Sequence, residues 1–376
     1  MTITAPSAED LRRMMTDQLI ATGALRSACW IEAFSGVPRH AFVPEFTVRS
    51  QGGKHRYDQE DPMWLTAAYQ DTSLLTQFDE VGVATSSSTR PSLMATMLEA
   101  LDVVDGNRIL EIGVGTGYNA ALLSHRLGSD RVVSLDVDPD LVTAAQIRLG
   151  KVGYAPRLIA GDGMAGCPEH APYDRLLATC GVGRIPDAWR EQVCPGGVIV
   201  ANVGYGIARL RVDRDGRASG QFLPVMAAFM GARSDTDSVS ATAQQLTRML
   251  INRTGSTREI SLPMSLGAEM AQFLPDLVHP TVKTITLKND AGHETHCLWE
   301  PYTSSWARIT LSDVRTAQLE HGGPRDLWAE REPLLTHWVS AGRPSIDRYG
   351  LTVDAVGAHT LWLDGPTNKV GALQAL

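Results

Sequence analysis

The strongest regularity in the chain is the alternation, between residues 108 and 203, of short runs rich in Val, Ile and Leu with longer amphipathic runs. Arg108–Ile112, Arg131–Leu135, Leu158–Ala160, Leu176–Thr179 and Val198–Val203 predict strands buried on both faces. Tyr118–Leu127 and Pro139–Leu149 carry apolar residues at helical spacing between them. Strands alternating with helices in this way imply a parallel sheet covered on both sides. Upstream, Ser7-Ala-Glu-Asp10 starts a helix with an acidic first turn, and Leu11, Met14, Met15 and Leu19 follow on one face. Ser27–Phe34 predicts a second helix, stopped by Gly36 and Pro38, and Ser92–Leu101 a third, with Pro91 suited to its first turn. Residues 45–84 have few periodic runs and read as mostly loop, leading into a hydroxyl-rich loop, Thr85-Ser-Ser-Ser-Thr89.

Past the alternating region, a turn at Asp213-Arg-Asp-Gly216 joins two expected strands, Ala208–Val212 and Phe222–Gly231. The small polar stretch 234–245 is the best linker candidate. Beyond it Val282–Leu287 and Trp306–Leu311 alternate as strands, Leu327–Ser340 is helical in pattern, and Leu351–Val356 with His359–Leu363 suggests a hairpin. The expected division is therefore a main α/β domain over 1–233, a linker over 234–245, and a smaller accessory α+β domain over 246–376 whose tryptophans, Trp299, Trp306, Trp328 and Trp338, fill a small core or line a binding face.

Composition narrows this picture without changing it. A chain of 376 residues favours two domains, and 43% hydrophobic with 20% charged residues is ordinary for a globular protein. A net charge of −8 argues against a nucleic-acid partner. The five cysteines are scattered, form no Cys-x-x-Cys pair, and read as reduced thiols. No signal peptide is legible in Met1–Thr22, and no run approaches the ~20 apolar residues of a membrane span, so a cytoplasmic location with no membrane partner is expected. The ten histidines show no metal-ligand spacing, and no metal is expected.

The candidate chemistry centres on Asn107–Leu123, a strand, a turn with three glycines and a helix start. Such a turn brings main-chain N–H groups close to a bound nucleotide or nucleoside. A dinucleotide fingerprint is excluded, since its register puts Tyr118 where a third glycine belongs, and a phosphate loop would need a lysine that is absent. What remains is the Glu/Asp-x-Gly-x-Gly-x-Gly pattern of class I S-adenosylmethionine-dependent methyltransferases, here Glu111, Gly113, Gly115 and Gly117, with Val114 inside the turn. Asp136, 19 residues after Gly117, ends the second strand, where a carboxylate can accept hydrogen bonds from both ribose hydroxyls; Asp138 is better suited to cap the helix at Pro139. Asp162, in Gly161-Asp-Gly163, falls at the sheet edge where an adenine would lie, but a turn aspartate beside glycines is an equal reading. Cys180 reads as a packed residue, not a nucleophile.

Several motifs in order resemble the protein-L-isoaspartate O-methyltransferase family. They are Gly36-Val-Pro-Arg-His-Ala-Phe-Val-Pro-Glu45, Ala68-Tyr-Gln-Asp71, the glycine turn, Gly161-Asp-Gly163, Ala171-Pro-Tyr-Asp174, Ile185-Pro186, Gln192, Pro195-Gly-Gly197 and Val203-Gly204. The resemblance implies a Rossmann-like class I methyltransferase sheet that uses S-adenosyl-L-methionine, releases S-adenosyl-L-homocysteine, and acts on a peptide or protein with an Asp or isoAsp residue. Counting back from Pro91, the family's Thr-x-Ser-x-Pro segment puts Thr89 at the serine position; since hydroxyl donors can position a carboxylate, Ser88 and Thr89 are the expected active hydroxyls, with Thr85, Ser86 and Ser87 as neighbours. Two departures stand out: the hydroxyl run is longer than usual, and residues 72–84 do not match the family's segment. The tail, with Gly323-Pro-Arg-Asp-Leu-Trp-Ala-Glu330, Ala341-Gly-Arg-Pro344 and Arg348-Tyr-Gly-Leu-Thr-Val353, is similar to an extended actinobacterial branch that accompanies ribosomal peptide maturation, in graspetide and lanthipeptide biosynthesis. That branch implies methylation of an aspartate in a modified peptide, the ester then closing to an aspartimide. Repair of L-isoaspartyl residues in damaged proteins is the alternative, and a non-catalytic peptide-binding module is a second one.

Overall fold

The structure is a computed structural model that describes residues 6–50, 53–233, 250, 252–288 and 294–374. The chain begins with α1 (Ala8–Ala21), started by a capping box in which Ser7 and Asp10 each satisfy the other's backbone N–H. Leu11, Met15 and Leu19 are buried, whereas Met14 faces solvent. Helix α2 (Ala28–Gly36) follows, buried through Trp30, Ala33 and Phe34.

Residues 45–84 depart from the expectation of loop. They form β1 (Glu45–Ser50), β2 (Gly53–Asp58), α3 (Trp64–Ala68), β3 (Leu74–Phe78) and the start of β4 (Ala84–Ser88), a four-stranded antiparallel sheet of order β2-β1-β3-β4. Cross-strand pairing makes this sheet, and only a small apolar cluster around Val43, Phe46, Ala67, Ala68 and Leu74 backs it, which is why the sequence shows so little periodicity. The hydroxyl run is correspondingly a strand and not a loop. Its period of two buries Ser86 and Ser88 and leaves Ser87 half-buried between them. Helix α4 (Pro91–Ala100) then carries Leu93, Met94, Met97 and Leu98 into the main core.

The central layer contains β5 (Ile109–Ile112), α5 (Tyr118–Leu127), β6 (Val132–Asp136), α6 (Pro139–Lys151), β7 (Arg157–Ala160), β8 (Tyr173–Val182), α7 (Asp187–Gln192), β9 (Val193–Val203), β10 (Gly206–Val212) and β11 (Ala218–Met226). Strands β9, β8, β5, β6 and β7 run parallel in that order. The chain moves outward from β5 through β6 to β7 and returns on the other side of β5 as β8, which opens a crevice at the carboxyl ends of these strands.

A second, five-stranded antiparallel sheet follows, of order β12-β16-β15-β14-β13. Its elements are β12 (Ser256–Ser261), α8 (Met270–Val278), β13 (Lys283–Lys288), β14 (Glu294–Glu300), β15 (Ser305–Leu311) and β16 (Thr316–Gly322), followed by α9 (Leu327–Ser340). The expected linker, 234–245, lies outside the described residues. The expectation that everything from 246 onward is one accessory unit is corrected. Strands β17 (Tyr349–Val353), β18 (His359–Leu363) and β19 (Lys369–Ala372) return to the central layer, pairing antiparallel from β11 outward to make a ten-stranded sheet. The cause is apolar continuity: Tyr349, Leu351, Val353 and Leu361 share one core with Leu210 and Phe222, and Phe273 of α8 packs edge-on against both Phe222, at 5.1 Å, and Tyr349, at 5.7 Å. Trp299, Trp306 and Trp328 are buried in the second sheet's own clusters. No helix among the described residues is long and apolar enough to cross a membrane.

Two buried charged side chains tie these layers together. Arg39, wholly buried in the turn after α2, donates to the carbonyls of Ala68 and Gln70 at 2.9 Å, Thr72 and Thr89 at 3.1 Å, and Ser88 at 3.5 Å. Glu111, in the all-buried strand β5, accepts from Asn119 of α5 at 2.6 Å and from the Ser134 hydroxyl of β6. Burial pushes its carboxyl up to about 7, against the pull of those two donors.

Replacing Arg39 by Met strands several buried carbonyls and is expected to cost roughly 3–5 kcal/mol in urea unfolding, with Lys restoring only a minor part. Because the neutral Glu111 carboxyl is favoured in the folded state, its contribution to stability is present below the ordinary carboxyl range and is lost as pH rises through about 7. Glu111→Gln keeps an acceptor for Asn119 and removes the titration. Its stability relative to wild type is expected to rise between about pH 5 and 8, by about 3 kcal/mol at most, read as a widening difference in melting temperature.

Candidate active site

A cavity of about 280 Å³, open on one side, lies at the carboxyl ends of β5, β6 and β8 with β4 across it. Its floor is the glycine turn. The N–H groups of Gly113 and Val114 both donate to Leu135 O, at 2.7 and 3.0 Å, so the turn is locked to the end of β6. Gly113 has φ +97°, and a Cβ there would lie 2.7 Å from Thr179 Oγ1. Gly117, at φ +87°, caps α5 where a Cβ would come within 3.1 Å of Ala145 Cβ on α6. Only glycine meets both conditions. Gly115 N–H donates to one oxygen of Asp136 at 2.9 Å, and Asp138 N–H donates to the other at 3.2 Å. Burial raises the Asp136 carboxyl, and these N–H groups oppose that rise.

The expected residues divide as follows. Gly113, Val114, Gly115, Asp136 and Gly163 line the cavity, as do all five hydroxyl residues, Thr85 to Thr89. Glu111, Gly117 and Asp162 do not: Glu111 lies beneath the turn, held by Asn119 and Ser134, Gly117 packs α5 on α6, and Asp162 accepts from Met164 N–H at 2.8 Å as a turn residue. Asp138 is the cap of α6, accepting from Asp140 and Leu141 N–H and from the Gln77 amide.

The hydroxyls are unequal. Thr85 donates to Gln77 Oε1 at 2.8 Å, and Ser86 accepts from Thr76 at 3.3 Å. Ser87, Ser88 and Thr89 make no side-chain hydrogen bond among the described residues, so their hydroxyls are available to a ligand. Cys180 also lines the cavity, but burial pushes its thiol up to about 12, which leaves no thiolate at neutral pH.

Sequence reasoning missed part of the lining. Tyr118 and Asn119 open α5 directly after the turn, a position that marks them in retrospect; the Tyr118 hydroxyl and Asn119 Oδ1 are buried without partners among the described residues. The far wall, residues 228–233, carried no local signal. It is placed by two bonds of 2.8 Å between Gly181 and Met230 and between Ala232 and Gly181, and by Asn202, which donates to Ala227 O at 2.8 Å and accepts from Phe229 N–H at 3.1 Å. Among the described residues no three His, Cys, Asp or Glu side chains are grouped to hold a metal ion.

A model of the protein-L-isoaspartate(D-aspartate) O-methyltransferase family matches residues 10–223. The protein-L-isoaspartate O-methyltransferase of Methanopyrus kandleri is 36% identical over 196 residues, 51% of this chain and 76% of that protein. The one from Methylorubrum extorquens is 37% identical over 212 residues, covering 56% and 82%. A solved structure named protein-L-isoaspartate O-methyltransferase superposes with a TM-score of 0.56 at 24% identity, over 94% of this chain and 100% of the other, so the fold is shared well beyond the family-matched segment. With a family model covering more than half its length and curated relatives above 30% identity, this chain belongs to the protein-L-isoaspartate O-methyltransferase family.

Proposed function

We propose that this protein transfers a methyl group from S-adenosylmethionine to the free carboxylate of an L-isoaspartyl residue in a protein or peptide. The observation that carries the reading is the seating of the β4 hydroxyls over the glycine turn: a Cβ on Gly115 would lie 3.6 Å from both Ser86 Oγ and Ser87 O. A methyl donor bound on that turn and an acceptor held by β4 are thereby brought to one point.

The residues fit the cofactor. The Gly113–Gly115 turn leaves a cradle that Thr179 would deny to any side chain at Gly113, and Asp136 presents a carboxylate suited to a ribose diol. Gly163 and Met164 supply the wall beside Asp136 for the adenine. When bound, S-adenosylmethionine supplies a sulfonium methyl that an ionised carboxylate takes by in-line displacement, the electron pair of the broken bond remaining on sulfur. The protein need remove no proton, because a carboxyl with pKa near 4 is already ionised at neutral pH. Its work is orientation, which can supply roughly 7–11 kcal/mol. Ser88 and Thr89 are assigned to hold the acceptor oxygens, with Ser87 beside them and Thr85 and Ser86 bracing the strand through Gln77 and Thr76. Uncharged donors position a carboxylate without neutralising it.

The relatives' names favour isoaspartyl substrates over the aspartate of a modified ribosomal peptide. The peptide-maturation reading stays as the second one on a single observation: the cavity wall 228–233 and the whole second sheet lie beyond the matched span, 10–223. The test offers the purified protein and S-adenosylmethionine an isoaspartyl peptide, its aspartyl isomer and a macrocyclised acidic precursor. Ester formation on the isoaspartyl peptide is expected. Ester that loses methanol to give an aspartimide, formed only on the macrocycle, transfers the assignment to peptide maturation, and cofactor binding without turnover on any of them leaves a binding module.

Within that assay Ser88→Ala combined with Thr89→Ala is expected to lower kcat by about 10²–10³-fold, with affinity for S-adenosylhomocysteine held within about twofold. Gly113→Ala is expected to do the reverse in calorimetry. It should weaken S-adenosylhomocysteine by at least about tenfold, because the new methyl meets Thr179 and the backbone must keep a positive φ.

A further inference from the structure

The cavity lining holds one anionic side chain, Asp136, and, among the described residues, one cationic side chain, Arg233. Arg233 lies beyond the family-matched span and is exposed at the end of the far wall. Its main chain is well placed, since the preceding residues are bonded to Gly181 and Asn202. The tip of its side chain is not. It reaches across to the opposite wall and donates to Thr85 O at 3.4 Å, a long bond to a neutral acceptor in contact with water. Its charge favours the ionised forms of Asp136 and Asp138, but it forms no ion pair with either: Asp136 is hydrogen-bonded to Gly115 and Asp138 N–H, and Asp138 to Gln77 and the start of α6. A guanidinium in this setting gains by exchanging a carbonyl for a carboxylate, which forms charge-assisted and frequently bidentate bonds about twice as strong.

We propose that Arg233 reads the charge of the peptide substrate, leaving Thr85 O to pair with an acidic side chain two or three residues from the methyl-accepting residue. This rests on the carboxyl methyl transfer proposed above, with the acceptor at the Ser88 end of β4. Thr85 and Ser88 are three strand positions apart, about 10 Å, and an extended peptide beside β4 covers that distance in about three residues. The same separation keeps the cation off the acceptor itself, where it would withdraw the charge that attack on the methyl requires. On a chain of net charge −8, a local cation at the mouth also offsets the repulsion that an acidic peptide meets elsewhere.

The test uses the full-length protein and paired isoaspartyl peptides carrying Glu or Gln two and three residues to either side of the isoaspartate. Peptide affinity is measured by calorimetry with S-adenosylhomocysteine present, and kcat and KM are measured alongside. Wild type is expected to favour a Glu peptide over its Gln twin by about five- to tenfold, through KM, with the preference shrinking between about 0.05 and 0.5 M salt. Arg233→Gln should bring the ratio within about twofold, and Arg233→Glu should turn the preference toward a Lys-flanked peptide. The proposal is overturned if wild type does not discriminate, if Arg233→Gln loses the Glu and Gln peptides equally, or if its main effect is a weaker grip on S-adenosylhomocysteine, which would make Arg233 a counter-ion for Asp136. Absence of turnover with every peptide would refute the methyl-transfer reading instead, and the calorimetric Glu-to-Gln ratio would still decide the role of Arg233.

Discussion

The active face of this protein depends on one buried cation. Arg39 has no exposure to solvent, and burial draws its guanidinium down to about 10, still charged at neutral pH. A charge in that position is tolerable only if its N–H groups meet acceptors, and the acceptors it meets are main-chain carbonyls from two separate stretches, 68–72 and 88–89. The first leads into β3 and the second ends β4. A single planar fork therefore sets where the hydroxyl strand stops and where α4 begins, a junction also held by Asp71, which accepts from Ser92 N–H at 2.8 Å. It thereby adds to the pairing with β3 and the Thr85–Gln77 and Ser86–Thr76 bonds that hold the hydroxyls of β4 above the glycine turn.

Beneath that strand, two carboxylates on neighbouring strands have been given different work by their surroundings. Glu111 is sealed under the turn and spends both oxygens on Asn119 and Ser134, which couples the strand to the helix that starts the cavity floor. Asp136 stands at the strand end, takes two backbone N–H bonds and still faces the cavity. The acid that opens the glycine motif is buried away from the cavity, and the acid after the next strand lines it. Between them the site offers hydroxyls and main-chain groups in place of a general base, consistent with an acceptor that arrives ionised.

The C-terminal third is not a detachable appendage. Its last three strands prolong the central sheet from β11, Phe273 of α8 enters the core shared by Phe222 and Tyr349, and Arg184 donates to Leu373 O at 3.0 Å and to Gly357 O at 2.7 Å. The far wall of the cavity follows directly on the matched span, ahead of this addition.

Local regularities were enough to establish the alternating strands and helices, the glycine turn, the caps at Ser7 and Asp138, and the placing of Asp136, because each rests on spacing within one or two elements. The same local view left Asp162 undecided, could not place Glu111 relative to the turn, and read residues 45–84 as mostly loop. Those questions turn on contacts across tens of residues: whether Glu111 lies below or beside the turn, whether polar segments pair edge to edge, whether residues 349–372 find the free side of β11. The far wall is the plainest case, since nothing in Phe229 to Arg233 announces a cavity until Gly181 and Asn202, from two other strands, bond to it. Periodicity and motif chemistry are properties of neighbouring residues and can be read along the chain, but burial and pairing are decided by which distant segments compete for the same surface, and only the folded chain settles that.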